Sequence, residues 1–212
     1  MFVLVVAKEP VPGRVKTRLC PPCTPAQAAA IAEAALRDTF DAIAASGADE
    51  IVVALDGEPG PWLPDGVRVV PQVDGPLDQR LTAAWGATDG PGIQVGMDTP
   101  QLQPGDLDHA MATLSTNGTD AVLGHAADGG WWLIGLRSAD DRVFAGIPTS
   151  RSDTGARQRA RLESLGMQVG TVPTLVDVDH FSDAVAVAAA VPNTHFARAV
   201  RAVGAGARAS RS

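Results

Sequence analysis

Apolar residues fall along this chain in two alternating patterns: short uninterrupted runs, and longer stretches in which they recur every three or four positions. Val3 to Ala7 is an unbroken, largely β-branched run, the mark of a strand buried on both faces. Glu50 to Asp56, Val67 to Val70, Ile93 to Met97, Asp120 to Gly124, Trp131 to Leu136 and Met167 to Val172 repeat that signature. Between them, helical spacing recurs. Thr24-Pro25-Ala26-Gln27 reads as a helix start, with Thr24 as N-cap, Pro25 at the first helical position and Gln27 closing a capping box. Ile31, Ala35, Thr39, Phe40 and Ile43 then keep one face apolar until Gly47. Further helices are predicted in the second half of "PQVDGPLDQRLTAAWGA", over Pro104 to Leu114, over Ala156 to Leu165 and over Ser182 to Ala190.

Strands alternating with helices predict an α/β domain: a mainly parallel sheet covered on both faces. Residues 1–192 carry this pattern as one domain. Residues 193–212 form a C-terminal extension whose end, "GAGARASRS", reads as a disordered tail. In open sheets of this kind ligands bind at the carboxyl ends of the strands. Three chemistry-rich segments fall there: "KEPVPGRVKTRL" (8–19), "GMDTP" (96–100) and "DVDH" (177–180).

Composition sharpens the contrast. The 212 residues are 45% hydrophobic and 19% charged, with a formal net charge of −7, yet Lys8, Arg14, Lys16 and Arg18 are packed into a single loop. An acidic chain is a poor general binder of nucleic acid, whose sequence-independent affinity comes from many Lys and Arg contacts to phosphate. The clustered cations are therefore expected to serve a small anion. Gly13 permits a tight backbone approach, Arg14 and Arg18 can grip phosphate oxygens in bidentate fashion, and Lys8 or Lys16 supplies a point charge. A di- or triphosphate is the natural guest. In "GMDTP", an apolar strand carries Asp98 to its tip and Pro100 keeps Thr99 out of helix, so the carboxylate is expected to face the crevice. Mg²⁺ takes one or two carboxylates plus phosphate oxygens and water; Asp177 or Asp179 is the expected second ligand. In "ADGGWWLIGL", Asp128 is expected to reach an acceptor hydroxyl or the metal and Trp131 to line a pocket, while the stretch also reads as a plain hairpin with aromatic packing. Asp78 and Thr99 join the expected substrate-binding residues.

Other chemistries drop out. Cys20-Pro-Pro-Cys23 has CxxC spacing but no second pair of zinc ligands, and reads as two incidental thiols. His109, His125, His180 and His195 lack zinc spacing, and Ser150 and Ser152 lack a nucleophile elbow. No apolar run reaches the roughly 18 residues of a membrane span, and the first residues lack the pattern of a signal peptide; a cytoplasmic protein is expected.

On "KEPVPGRVKTRL", "GMDTPQL", "DGGWWLIGL" and "DVDHFSDA", in that order and spacing, the chain resembles the nucleotide-diphospho-sugar transferase superfamily. That resemblance implies the GT-A fold, a Rossmann-like three-layer α/β/α sandwich, over about residues 2–190. Within the superfamily it is most similar to the rSAM/selenodomain-associated transferase 1 family, often described as glycosyltransferases. The opening motif is also similar to that of phospholactate guanylyltransferases, and "SDTGARQRARL" with "DVDHFSDA" to stretches of molybdopterin cytidylyltransferases. The Gly-Gly-x-Gly-x-Arg loop of many nucleotidyltransferases is absent, and His180-Phe181 stands where a Thr-Pro helix start is common.

The resemblance and the residues together imply a GT-A-like catalytic domain that transfers a nucleotidyl group from an NTP to a phosphorylated small-molecule acceptor, releasing pyrophosphate. Lys16, Asp98 and Asp128 are the expected catalytic residues, with Mg²⁺ (or Mn²⁺) on Asp98 and Asp177 or Asp179. The alternatives are glycosyl transfer from an NDP-sugar and a non-catalytic nucleotide-binding domain. Expected partners are the nucleotide, the acceptor and, as an open option, a second copy of the chain; nucleic acid is not among them.

Overall fold

The computed structural model describes residues 1–209. Seven strands, β1 (Phe2–Lys8), β2 (Glu50–Asp56), β3 (Arg68–Pro71), β4 (Gly92–Val95), β5 (Ala121–Ala126), β6 (Trp131–Leu136) and β7 (Val169–Leu175), form one sheet in the order β3-β2-β1-β4-β6-β5-β7. The pairs β1–β2, β1–β4, β2–β3 and β5–β7 are parallel, and β6 alone runs against its neighbours. The sheet is thus mainly parallel with one reversed strand. That reversal comes from the Asp128-Gly129-Gly130 turn, which folds β5 and β6 into an antiparallel hairpin.

Of six helices, α1 (Pro25–Ala44), α2 (Leu77–Gly86), α3 (Pro104–Ser115) and α4 (Thr154–Ser164) cover the sheet, and α5 (Phe181–Ala190) and α6 (His195–Ala209) pack on the outer side of α1. The period-2 alternation of β1 shows how the layers form. Val3, Val5 and Ala7 enter the core shared with Leu36 and Phe40 of α1 and Leu107 and Leu114 of α3, while Phe2 and Leu4 enter the core shared with Leu81 and Trp85 of α2 and Leu162 of α4. Helix α1 starts as its sequence dictates: Thr24 Oγ1 accepts from Gln27 N–H at 3.2 Å and Gln27 Oε1 accepts from Thr24 N–H at 2.8 Å.

Helix α1 is apolar on two sides. Ala29, Ala32, Leu36 and Phe40 face the sheet, and Ala28, Ile31 and Ala35 face a third core with Ala184 and Val187 of α5 and Phe196, Val200 and Val203 of α6. Residues after 192 therefore contribute to the core, and helical backbone runs to Ala209, through part of the stretch expected to be a disordered tail. The extension up to Val203 packs because Phe196, Val200 and Val203 bury a helical face against α1. Residues 210–212 of that tail lie outside the described residues. No helix among the described residues is long and apolar enough to cross a membrane.

Candidate active site

Three loops at the carboxyl end of the sheet are tied to one another by one lysine. Lys16 sits just before a short 3₁₀ turn (Thr17–Leu19) and holds a left-handed backbone conformation, φ +47°, a costly state for a residue with a side chain. Its side chain, 8% exposed, turns inward. The ammonium contacts Asp98 Oδ1 at 2.5 Å and donates to the carbonyl of Val178. Val178 N–H in turn donates to the carbonyl of Asp98 at 2.9 Å. The segments after β1, β4 and β7, up to 162 positions apart in sequence, thus meet at one point.

Around that point opens a crevice of about 580 Å³, lined by Lys8, Arg14, Lys16, Arg18, Asp98, Thr99, Asp128, Trp131, Asp177 and Asp179 among others. Most of the residues singled out in the sequence are therefore neighbours. Lys8 and Arg14 lie 3.8 and 3.9 Å from Asp56, and Arg18 pairs with Asp179 at 2.8 Å. Thr99 is buried, and Trp131 and Trp132 both border the crevice, Trp132 being also part of the core, its Nε1–H donating to Pro173 O at 3.0 Å. Two expected residues stand apart from the lining. Gly13 serves the turn, with φ +81° and open space where a Cβ would sit. Asp78 accepts from Gly146 N–H at 2.9 Å and Gln79 N–H at 3.0 Å, so its carboxylate ties a loop to the first turn of α2 instead of facing the crevice.

The acids of the crevice crowd one another. Burial, reinforced by the charges of Asp98 and Asp128, pushes the Asp177 carboxyl up to about 7, against the opposing pull of Lys16. Asp128 lies in the hairpin turn, where its Oδ1 accepts from Gly130 N–H at 2.8 Å. The loop before α4 presses on that turn: a Cβ on Gly129 would lie 2.0 Å from Ser152 O, and one on Gly155 would lie 2.4 Å from Gly130 O. Only glycine allows the approach that brings Ser150, Arg151 and Ser152 to the crevice wall.

An all-oxygen donor set of aspartates suits a hard divalent cation, and the mutual repulsion that raises Asp177 is what such a cation relieves. Asp98 and Asp177 fit that role. Asp179 is engaged elsewhere, by Arg18 through its side chain and by Asp183 through its backbone N–H. Among the described residues no three crevice carboxylates converge within 4.8 Å; the one trio of ligating side chains that close is Asp38, Asp41 and His195, outside the crevice. There, Asp38 accepts from His195 N–H at 2.9 Å and Phe196 N–H at 2.7 Å, and so caps α6.

The sequence reading missed three participants. Asp56, at the end of β2, gathers Lys8, Arg14 and Arg80, and the same strand-end rule would have found it. Arg80 lines the crevice from α2, held by Gln72 Oε1 at 2.7 Å and Asp56 at 3.1 Å. Gln94 is a lone amide in the buried strand β4, and that polarity was its signal.

With this geometry in view, comparisons place the chain among known folds and families. The family model described as an uncharacterized protein conserved in bacteria (DUF2064) matches residues 27–151. A Desulfovibrio desulfuricans G20 structure provisionally assigned as a nucleotide-diphospho-sugar transferase superposes with a TM-score of 0.85 at 24% identity, covering 96% of this chain and 95% of the other. A nucleotidyl transferase from Methanothermobacter gives 0.58 at 19% identity, covering 93% and 98%. Glucosyl-3-phosphoglycerate synthase from Mycobacterium tuberculosis, solved with Mn²⁺, UDP and glucosyl-3-phosphoglycerate, gives 0.51 at 14%, covering 83% and 70%. The fold is therefore the Rossmann-like fold of nucleotide-diphospho-sugar transferases. Among curated proteins, none matches the chain in sequence.

Proposed function

The chain belongs to the bacterial DUF2064 family, and from that premise and the crevice we propose that it is a nucleotide-dependent transferase that moves a nucleotidyl group from an NTP to a phosphorylated small-molecule acceptor. The observation that carries this reading is the junction at Lys16. It brings a basic loop, an aspartate at the tip of β4 and an aspartate after β7 into one crevice. Such a site matches a polyphosphate that needs both cationic side chains and a metal ion.

In this reading Lys8, Arg14 and Arg80 neutralise the phosphate chain, and Lys16 moves its charge from Asp98 to a phosphate oxygen as substrate binds. Asp98 and Asp177 hold Mg²⁺ or Mn²⁺, which when bound supplies charge neutralisation on phosphate oxygens. An oxygen of the acceptor phosphate attacks the α-phosphorus, the bond from that phosphorus to the bridging oxygen breaks, and pyrophosphate leaves. The acceptor oxygen is already ionised, so no protein nucleophile or base is required; positioning and electrostatics carry the reaction.

A second reading rests on Asp128. Asp128 borders the same crevice, and in this reading its carboxylate accepts the proton of an acceptor hydroxyl during glycosyl transfer from an NDP-sugar. That chemistry is in keeping with the fold shared with glucosyl-3-phosphoglycerate synthase. Incubation with Mg²⁺, each of the four NTPs and a panel of phosphorylated acceptors separates the readings. Release of pyrophosphate supports nucleotidyl transfer. NDP release from NDP-sugars without pyrophosphate supports the second, and nucleotide binding with neither product reduces the site to a binding domain.

A further inference from the structure

Beyond its charged centre the crevice continues along the face of the sheet covered by α2. Val6 of β1, Leu77 and Leu81 of α2 and Trp131 of β6 border it with apolar surface, and Gln94 of β4, only 2% exposed, faces it between them. The orientation of the Gln94 amide is fixed by chemistry. Its oxygen accepts from Trp85 Nε1–H at 2.7 Å, and an indole N–H can only donate, so the NH₂ must point away from Trp85. Among the described residues no oxygen accepts from that NH₂. It is not sealed in either, since among the described residues the only fully enclosed side-chain polar atom without a partner is Gln101 Oε1. A buried donor that the protein leaves unpaired, opening onto a crevice, is a group awaiting a ligand acceptor.

Its neighbours narrow the ligand. The NH₂ of Gln72, the other amide in the wall, is fully used, donating to Ala7 O at 2.8 Å and Ala54 O at 2.7 Å, and its oxygen accepts from Arg80. Arg80 can only donate. The NH₂ of Gln94 is thus a donor left over among aliphatic and aromatic surface. With the phosphate chain held by Lys8, Arg14, Lys16 and Arg80, the apolar surface that Val6, Leu77, Leu81 and Trp131 form beside Gln94 is left for the uncharged part of the ligand. A flat, uncharged ring with an acceptor on its edge fits. The phosphate-binding cations of the same crevice indicate which molecule carries the ring.

We propose that Gln94 is a specificity-determining residue that donates to the exocyclic oxygen far from the sugar, O6 of guanine or O4 of uracil, so that the site takes guanine or uracil in preference to adenine and cytosine, which carry an amine there. The inference rests on the nucleotide reading above and deepens it. Guanine O6 and uracil O4 accept, whereas the exocyclic amines of adenine and cytosine donate. An amine against the Gln94 NH₂ would set donor against donor and leave both unpaired.

The test is calorimetric titration, with Mg²⁺ present, of non-hydrolysable analogues of GTP, UTP, ATP and CTP into the wild-type protein and Gln94→Glu. Glutamate keeps an oxygen for Trp85 and removes the NH₂. The wild type is expected to bind the GTP or UTP analogue at least about tenfold more tightly than both amino-base analogues, and Gln94→Glu is expected to lose that preference. Should Gln94→Glu not fold, Gln94→Met combined with Trp85→Phe removes the donor and its partner together, and the same loss is expected. Equal binding of all four analogues, or a keto preference that survives the substitution, overturns the proposal and leaves the nucleotide reading standing. Failure of all four to bind overturns the nucleotide reading itself.

Discussion

Lys16 concentrates the energetics of the site. Its ammonium is almost wholly enclosed and is satisfied by one carboxylate and one carbonyl, so it is presented on a fixed base instead of waving in solvent. We expect Lys16→Ala to weaken triphosphate binding at least about tenfold, measured by calorimetry, because a desolvated charge-assisted contact contributes about 1.5–3 kcal/mol. Lys8→Ala should cost less, its side chain being half exposed. Asp177 makes a separate prediction. Its carboxyl titrates near 7 in the folded protein and near 4 when unfolded. Between those values the native state holds a proton that the unfolded state has lost, so stability falls as pH rises from about 4 to about 7 and levels off above. In EDTA, Asp177→Asn should therefore melt higher than wild type at pH 8, by on the order of a few kcal/mol of stability, with a smaller gain at pH 5. An equal gain at both pH values would contradict the burial and repulsion assigned to Asp177.

At the level of elements, α6 depends on a residue of α1. Asp38 receives the backbone N–H groups of His195 and Phe196, and Asp38→Ala leaves both without partners at a buried helix start. We expect a loss of about 1–3 kcal/mol in urea unfolding, with Asp38→Asn intermediate because it keeps one acceptor. Gly155→Ala should distort the junction of α4 with the hairpin turn, where no Cβ fits, and lower activity as well as stability. These elements also mark what could be read in advance. The strands announced themselves as apolar runs, and the cap of α1 was written in Thr24 and Gln27, because both signals are local. The cap of α6 was not, since Asp38 lies 157 positions away. Trp62, in a stretch readable only as Gly/Pro-rich loop, stacks on Phe40 at 6.3 Å and joins the core. Gln94 showed in the sequence only as a lone amide in an apolar strand, and its meaning comes from Trp85 and from the open crevice beside it.

On the scale of the whole molecule, the sheet order explains why a chain of net charge −7 concentrates positive charge in one place. With β1 inside the sheet, between β2 and β4, the loop after it is flanked by the carboxyl ends of both neighbours. Asp56 and Asp98 at those ends hold the cations until a ligand competes for them. The strand-end rule pointed from sequence to the segments that line this crevice, because it follows from topology alone. It could not supply the pairings, which depend on how far each side chain reaches. The account comes down to where a nucleotide and its metal bind. A crystal structure of the protein with Mg²⁺ and a non-hydrolysable NTP tests that directly. The account predicts a phosphate chain between Lys8, Lys16 and Arg80, with the ion on Asp98 and Asp177. A nucleotide bound outside this crevice, or an ion held by Asp38, Asp41 and His195 with the crevice acids untouched, would contradict it.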